Sequence, residues 1–134
     1  MFTALLCAVL LAVPASGLSA GAGFKGKTKQ NRPVTFRVAQ GKVKNFTAGV
    51  NVFCIGSGIE FNAAIPPKAM KIKRGGKFSY KGRDKADSAN IEIRGTLTGS
   101  KATGKVSMTH SKYDASTGLF TGCSGEARWS ARKK

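Results

Sequence analysis

Apolar residues recur at every second position along most of the chain after residue 24, and helical periodicity is almost absent there. Val34, Phe36 and Val38 alternate with polar or small neighbours, which is typical of a strand with one buried face. The same alternation marks the segments 50–54, 70–72, 78–80, 91–97, 102–108 and 123–131. Glycine, proline and short polar runs separate these segments as turns. The pattern predicts an all-β fold of roughly seven to nine short strands, arranged as an antiparallel sandwich or a closed barrel.

An uncharged apolar segment precedes this alternating pattern. Residues 4–13 form a nearly continuous apolar run, which is followed by Pro14 and a series of small residues up to Ala22. This order is typical of a signal peptide, and the run is shorter than the about 20 apolar residues of a bilayer-spanning helix. We therefore predict a cleaved leader over residues 1–22, with cleavage near residues 20–22, and a single β domain over residues 23–134. A retained membrane anchor is the alternative.

Cleavage of the leader would remove Cys7 and leave one pair of cysteines, Cys54 and Cys123. An exported chain meets an oxidising environment, which favours a disulfide between the two. Both cysteines share the parity of buried positions, so both thiols are expected to point inward from strands that are distant in the chain. Two unpaired buried thiols are the alternative. No metal site is predicted, because His110 is the only histidine and no third ligand lies at metal-site spacing.

The chain carries a formal net charge of +17, from 23 Lys and Arg against 6 Asp and Glu, and all of these residues follow residue 24. Alternation places most of the cations on the outward faces of strands. A charge of this size exceeds what solubility requires and opposes folding by self-repulsion, which favours an external polyanion. The predicted contacts are Lys25, Lys27, Lys29, Lys71, Lys73, Arg94 and Lys105. A solvated cationic surface without a binding role is the alternative.

The candidate polyanions outside a cell are phosphate polymers, acidic polysaccharides, anionic lipid head groups and nucleic acid. Recognition of nucleic acid by base stacking requires exposed aromatic rings among the cations. Phe78 and Tyr80 come closest to this arrangement, and Phe53 and Tyr113 are the other aromatic residues expected to be exposed. No helix is predicted to enter a groove, and no zinc-finger or ribonucleoprotein motif is present. Nucleic acid is therefore expected to bind through its phosphates, without sequence preference.

The sequence carries no catalytic signature. His110 is the sole candidate imidazole base, and it continues the inward parity of Val106 and Met108, as a core or strand-end histidine would. Glycoside hydrolysis needs two positioned carboxylates. Glu92 and Glu126 lie at outward positions, where pairing with a nearby Lys or Arg is the simpler expectation. We therefore predict a non-enzymatic protein without a cofactor.

Turn glycines, alternating core positions and the cysteine pair form motifs over most of residues 23–134. These motifs are Gly26-x-Thr28, Gly76-Lys77-Phe78, Ile93-x-Gly95-x-Leu97, Ala102-Thr103-Gly104, Cys123-Ser124-Gly125 and Trp129-x-Ala131-Arg132. Through them the chain resembles a group of small exported bacterial β-rich proteins of uncharacterised function. The resemblance implies a β-sandwich-like scaffold with one disulfide, and it implies no activity and no functional residues.

Together these observations predict a secreted or cell-envelope-associated, non-enzymatic β domain that binds anionic polymers or surfaces electrostatically. A protein-interaction or inhibitor module with an acidic protein partner is the alternative from another class. Such a module would bind one partner stoichiometrically and ignore generic polyanions.

Overall fold

The computed structural model describes residues 21–134, which form nine β-strands and one turn of 3-10 helix at Arg74–Gly76. The strands are β1 (Ala22–Thr28), β2 (Pro33–Ala39), β3 (Lys42–Cys54), β4 (Gly58–Ala64), β5 (Met70–Lys71), β6 (Lys77–Arg83), β7 (Asn90–Thr98), β8 (Lys101–Asp114) and β9 (Leu119–Lys133). The predicted all-β fold is confirmed. Except for its last two residues, the predicted leader lies outside the described residues. Within residues 21–134, no helix is long and apolar enough to cross a membrane.

All nine strands belong to one antiparallel sheet in the order β4-β3-β2-β1-β9-β8-β7-β6, and β5 pairs with β3. The β1–β2 hairpin lies between β3 and β9. The C-terminal part of β9 pairs with β1, whereas its N-terminal part pairs with β3 at Cys123 and Ser124. The Gln30 side chain fills the point where β3 and β9 converge. Its Nε2 donates to the backbone oxygens of Asn51 and Glu126, and its Oε1 accepts from the Asn51 backbone N–H.

The sheet curls around a single buried core. Phe36 of β2 and Phe78 of β6 have ring centroids 6.1 Å apart, although four strands lie between β2 and β6 in the sheet. Trp129 joins them, with centroid distances of 5.9 Å to Phe36, 5.6 Å to Phe46 and 6.1 Å to Phe78. Trp129 is buried, as its parity predicts. The core is therefore enclosed by one folded sheet rather than by two separate sheets.

Two cross-strand glycines make room for the central aromatic rings. Gly95 pairs with Phe78 on one side and with Gly104 on the other, and Gly104 pairs with Trp129. A Cβ on Gly95 would lie 2.3 Å from Cζ of Phe78, and one on Gly104 would lie 1.9 Å from the Arg94 backbone oxygen. Only glycine at both positions lets the two rings lie against the backbone of β7 and β8.

We expect Gly104→Ala to lower the free energy of unfolding by about 2–3 kcal/mol, because its Cβ would overlap backbone that cannot move without shifting β7. Urea unfolding followed by Trp129 fluorescence measures the loss. Gly122→Ala is the matched control on β9, since none of the described residues places an atom within 4 Å of a Cβ there. Equal stabilities of the two variants would contradict this packing.

The sulfurs of Cys54 and Cys123 are bonded at 2.04 Å, and the two Cα atoms are 4.0 Å apart. The two residues face each other directly across β3 and β9, with both side chains buried. The predicted disulfide and the inward direction of both cysteines are confirmed. The bond joins the end of β3 to the start of β9 at the point where these long strands meet.

The pattern of apolar residues did not indicate two of the strands. β1 alternates Phe24, Gly26 and Thr28 inward, a series that is too small and too polar to mark a buried face. In β4 the sequence alternates, but its apolar residues Ile59 and Phe61 point outward and are exposed, so the pattern does not mark the buried face. β4 lies at an edge of the sheet, so its pairing with β3 depends on backbone hydrogen bonds and not on burial of these side chains.

Candidate functional site

Cations meet side by side on the outer surface of β1, β9, β8 and β7. Arg94 pairs with Lys105, and Lys105 pairs with Arg128, so three positive side chains cross three strands in one row. A second row is formed by Lys25, Arg132 and Lys101. Like charges directly opposite each other in antiparallel strands are destabilising. Two such rows on one surface therefore cost stability, which an anionic partner would recover.

Hydroxyl groups lie between these two rows. Lys27 pairs with Ser130, Ser130 with Thr103, Thr103 with Thr96, and Thr96 with Lys77. The intermediate row thus offers three hydroxyls flanked by two ammonium groups. Hydroxyls and ammonium groups both donate hydrogen bonds to phosphate or carboxylate oxygens.

The outer surface is concave at the cross-strand glycines. A depression of about 660 Å³ is lined by Gly95 and Gly104 and by five cations. A neighbouring depression of about 600 Å³ shares Gly104 and Arg128 with it and also reaches Lys27 and Lys29. We define the cationic face as the exposed Lys and Arg side chains of the two rows and of these depressions. Its members are Lys25, Lys27, Lys29, Lys73, Lys77, Arg94, Lys101, Lys105, Arg128 and Arg132.

Few carboxylates neutralise the cationic face. Among the described residues, two of its ten cations form salt bridges: Arg94 Nε with Glu92 Oε1 at 2.7 Å and Lys105 Nζ with Glu126 Oε2 at 3.1 Å. Both glutamates lie at one margin, in the row next to Arg94 and Lys105. This confirms the expected pairing of Glu92 and Glu126 with neighbouring cations. Exposed pairs of this kind are worth about 0–1 kcal/mol, so they offset little of the repulsion.

Six of the seven cations predicted as contacts lie on the cationic face, and the fold separates the seventh from them. Lys71 lies on β5 and pairs with Lys42 of β3. Lys77 and Lys101 are not among the seven predicted contacts, because each directly precedes a predicted strand, 78–80 or 102–108, and follows a glycine-containing turn. Arg128 and Arg132 are also absent from the predicted contacts, because their cross-strand partners Lys105 and Lys101 are not visible in the sequence.

Charge is distributed unevenly along the long axis of the sheet. Residues 45–67, which include the β3–β4 hairpin, contain no Lys or Arg and one acid, Glu60. Residues 108–127, at the β8–β9 hairpin, contain Lys112, Asp114 and Glu126 as their only charged residues. The two hairpins form a neutral end, and the ten cations of the cationic face lie towards the opposite end of β8 and β9. Ten of the 23 Lys and Arg residues belong to the cationic face and thirteen lie elsewhere, so the asymmetry distinguishes one cation-poor end from the rest of the surface.

Large apolar side chains are exposed on the neutral end. Phe53 and Ile59 are cross-strand partners near the β3–β4 turn, and Tyr113 and Phe120 are partners near the β8–β9 turn. The rings of Tyr113 and Phe120 contact each other with centroids 5.2 Å apart. We define the apolar hairpin ends as Phe53, Ile55, Ile59, Phe61, Tyr113, Leu119 and Phe120, all of which are more than half exposed. The predicted exposure of Phe53 and Tyr113 is confirmed.

The aromatic residues expected among the cations are not available for stacking. Phe78 is 2% exposed because its ring packs inward against Trp129, so the expectation of an exposed stacking ring at this position is wrong. Tyr80 is half-buried and donates its hydroxyl proton to the Arg83 backbone oxygen at 2.6 Å. The cationic face therefore offers charge and hydrogen bonds without base-stacking rings.

Several acidic residues have structural roles in turns. Asp84 is buried, and its Oδ1 accepts from the backbone N–H groups of Ser88 and Ala89 at 2.8 and 3.1 Å. Asp114 begins the β8–β9 turn, where a hydrogen bond from the Ser116 hydroxyl, above all, lowers the pKa of its carboxyl group. These hydrogen bonds account for both carboxylates within the fold.

No protein-family model matches the sequence, and no curated protein is significantly similar to it. The geometry of the described residues is thus what supports a function for this chain.

Proposed function

We propose that this protein is an exported, non-enzymatic β domain that binds phosphate- or carboxylate-bearing polymers through its cationic face. The observation that carries the proposal is the pair of rows in which three cations face one another across neighbouring strands. An anionic chain lying across the strands would contact each row in turn. The hydroxyls of Thr96, Thr103 and Ser130 would donate to its oxygens between the rows.

The chemistry of the face predicts the mode of binding. Its flexible Lys and Arg side chains make contacts that are individually weak and collectively strong, and no aromatic ring is available to select a base. Affinity is therefore expected to depend on the charge density of the polymer rather than on its sequence or sugar type.

The direct test is a salt titration with three defined probes: linear polyphosphate, a mixed-sequence DNA duplex and a carboxylated polysaccharide. We expect binding at about 50 mM NaCl to weaken by about 10³-fold or more at 200 mM for the duplex, as six or more phosphate contacts imply. Fluorescence anisotropy measures the affinities. Failure to bind any of the probes at the lower salt concentration would contradict the proposal.

Recognition of a specific protein partner is a second candidate function. The apolar hairpin ends favour a protein partner, although they carry no cations that would select an acidic one. Clustered exposed apolar side chains often mark protein–protein contacts. In this case binding would resist salt, because apolar contacts are not screened, and it would be lost in a Phe53→Ser, Phe120→Ser double variant. Polymer binding through the cationic face would be unchanged in that variant.

Export is the compartment that this proposal assumes. The disulfide between Cys54 and Cys123 is compatible with an extracellular protein. Two expectations from the sequence also favour export. They are the cleaved leader predicted over residues 1–22 and the resemblance to exported bacterial β-rich proteins. Sequencing the amino terminus of the protein recovered from a culture supernatant tests the predicted cleavage near residues 20–22.

A further inference from the structure

Four potential metal ligands converge at the neutral end of the molecule. They are the sulfurs of Cys54 and Cys123, the imidazole of His110 and the carboxylate of Glu60, and one ligand atom from each lies within 4.8 Å of all the others. The four residues come from β3, β9, β8 and β4. Their wide separation along the chain is why sequence spacing did not indicate them.

Strand register explains the convergence. His110 pairs with Cys123, and Cys123 pairs with Cys54, so these three side chains project from the same face of the sheet in one row. Glu60 pairs with Val52, which shares the inward face of β3 with Cys54. Because the sheet curls, Glu60 of β4 reaches the region of β8. Lys112 of β8 closes this end of the core by donating to Glu60 Oε1.

The histidine supplies a second and independent observation. His110 Nε2 is buried and has no hydrogen-bond partner among the described residues. A buried polar atom without a partner loses its hydration without compensation. An ion is one explanation of such an atom. Of the three side-chain atoms in this state within residues 21–134, which include Asn62 Nδ2 and Trp129 Nε1, only that of His110 belongs to the ligand cluster. Coordination of a cation would supply the partner that the imidazole lacks.

In the disulfide form the two sulfurs are bonded to each other and are not available as thiolates. We infer that two-electron reduction converts this cluster into a binding site for one divalent cation, Zn²⁺ by preference, with the ligands Cys54, Cys123, His110 and Glu60. A dithiol reductant would transfer two electrons and two protons to the disulfide and would itself become a cyclic disulfide. Each thiol would then release its proton as the metal binds.

The ligand set and the local charge both suit zinc. Two sulfurs, one imidazole nitrogen and one carboxylate oxygen form a four-coordinate set of the kind that Zn²⁺ accepts. A tetrahedral site with bonds of about 2.0–2.3 Å holds its ligand atoms about 3.3–3.8 Å apart, so each sulfur and its neighbours need to move by less than about 2 Å. Two thiolates and a carboxylate, together with Zn²⁺ and Lys112, sum to zero charge.

The metal would replace the disulfide as the link between β3 and β9. Reduction alone frees the ends of both strands, whereas a bound cation holds the same two sulfurs and adds β4 and β8 to the cross-link. Lys112 would act as a positioning residue, since its hydrogen bond to Oε1 orients the carboxylate. The site lies away from the cationic face and does not depend on polymer binding.

The experiment titrates Co²⁺ and then Zn²⁺ into the protein after reduction with a phosphine that does not bind the metal. We expect one Co²⁺ per chain, with a sulfur-to-cobalt charge-transfer band and the intense visible bands of tetrahedral cobalt, and displacement by one Zn²⁺. The oxidised protein should give neither band. A reduced protein that shows no thiolate charge transfer would overturn the inference.

Variants identify the other two ligands. His110→Ala is expected to weaken Zn²⁺ binding by more than about 100-fold, since even outer-shell changes cost 10–100-fold. Glu60→Gln should weaken it less, and Glu126→Gln is the matched control that should leave it unchanged. Affinity of the His110→Ala variant equal to that of the unaltered protein would exclude this site.

If the reduced chain unfolds, circular dichroism tests whether Zn²⁺ refolds it. Zn²⁺ should then restore the strand signal of the unaltered protein and fail to restore that of His110→Ala. Absence of refolding with Zn²⁺ would count against the inference as firmly as absence of binding.

Discussion

Neutralising the row of Arg94, Lys105 and Arg128 to glutamine is expected to weaken binding to a DNA duplex by about 10²–10³-fold at 50 mM NaCl. Each lost phosphate contact also reduces the slope of log affinity against log salt by about 0.9, so the triple variant should lose about 2.7 of that slope. Anisotropy titrations at several salt concentrations measure both quantities. The two changes identify lost phosphate contacts when circular dichroism shows that the variant is folded, because an unfolded polycation would also bind DNA with a regular salt dependence.

The matched control removes the same charge elsewhere. Lys42, Lys68 and Lys85 are exposed and lie off the cationic face, so their triple glutamine variant has the same net charge. We expect its affinity to fall much less, through the weaker long-range field alone. Equal losses in the two triple variants would show that binding follows total charge, and the cationic face would then have no special role.

The triple glutamine variant of this row should not lose stability, although it loses affinity. Removing like charges that face each other across strands is expected to leave the Arg94, Lys105, Arg128 variant as stable as the unaltered protein, or up to about 1 kcal/mol more stable. Weaker binding together with unchanged or higher stability is what distinguishes a binding surface from residues that support the fold.

Replacing Cys54 and Cys123 by alanine is expected to lower the free energy of unfolding by about 4 kcal/mol. The bond closes a loop with a sequence separation of 69 residues, and the chain-entropy treatment assigns about that value to a loop of this length. The free energy of unfolding of a small domain is about 5–15 kcal/mol, so the loss is a large fraction of the total. Urea unfolding of the variant and of the oxidised protein measures it.

The control for this prediction is the unaltered protein after reduction without metal, which should lose a similar free energy. Polymer binding by the folded variant should stay intact, because the cationic face lies at the other end of β8 and β9. A loss below about 1 kcal/mol would mean that the unfolded chain gains little freedom when the bond is absent.

The fold class followed from local sequence, since period-two alternation is a property of neighbouring residues. Segments such as Ile91 to Leu97 and Cys123 to Ala131 lie within strands with the predicted faces inward. In β4 the residues Ile59 and Phe61 alternate with polar neighbours, but this edge strand turns its apolar side chains outward, so local alternation would assign the wrong face to the core. Whether the strands form one sheet or two depended on how far the sheet curls, which requires contacts between distant residues such as Phe36 and Phe78.

The candidate sites, like the fold, could be predicted from the sequence only in part. Parity in the sequence assigned cations such as Arg94 and Lys105 to outward positions, yet it could not place them opposite Arg128, because register between strands is set by turns and by core packing. The prediction that Phe78 is an exposed stacking ring is wrong. The burial of this ring against Trp129 depends on the glycines at positions 95 and 104 of two other strands.

By itself the sequence determined the alternation of strand faces, the excess of positive charge and the single pair of cysteines after residue 24, all of which are local or compositional properties. Tertiary structure alone decided which cations share a row, which end of the molecule is neutral, and that His110 and Glu60 lie beside the disulfide. The physical reason is that pairing between strands distant in the chain is fixed by the closing of the curled sheet around its aromatic core.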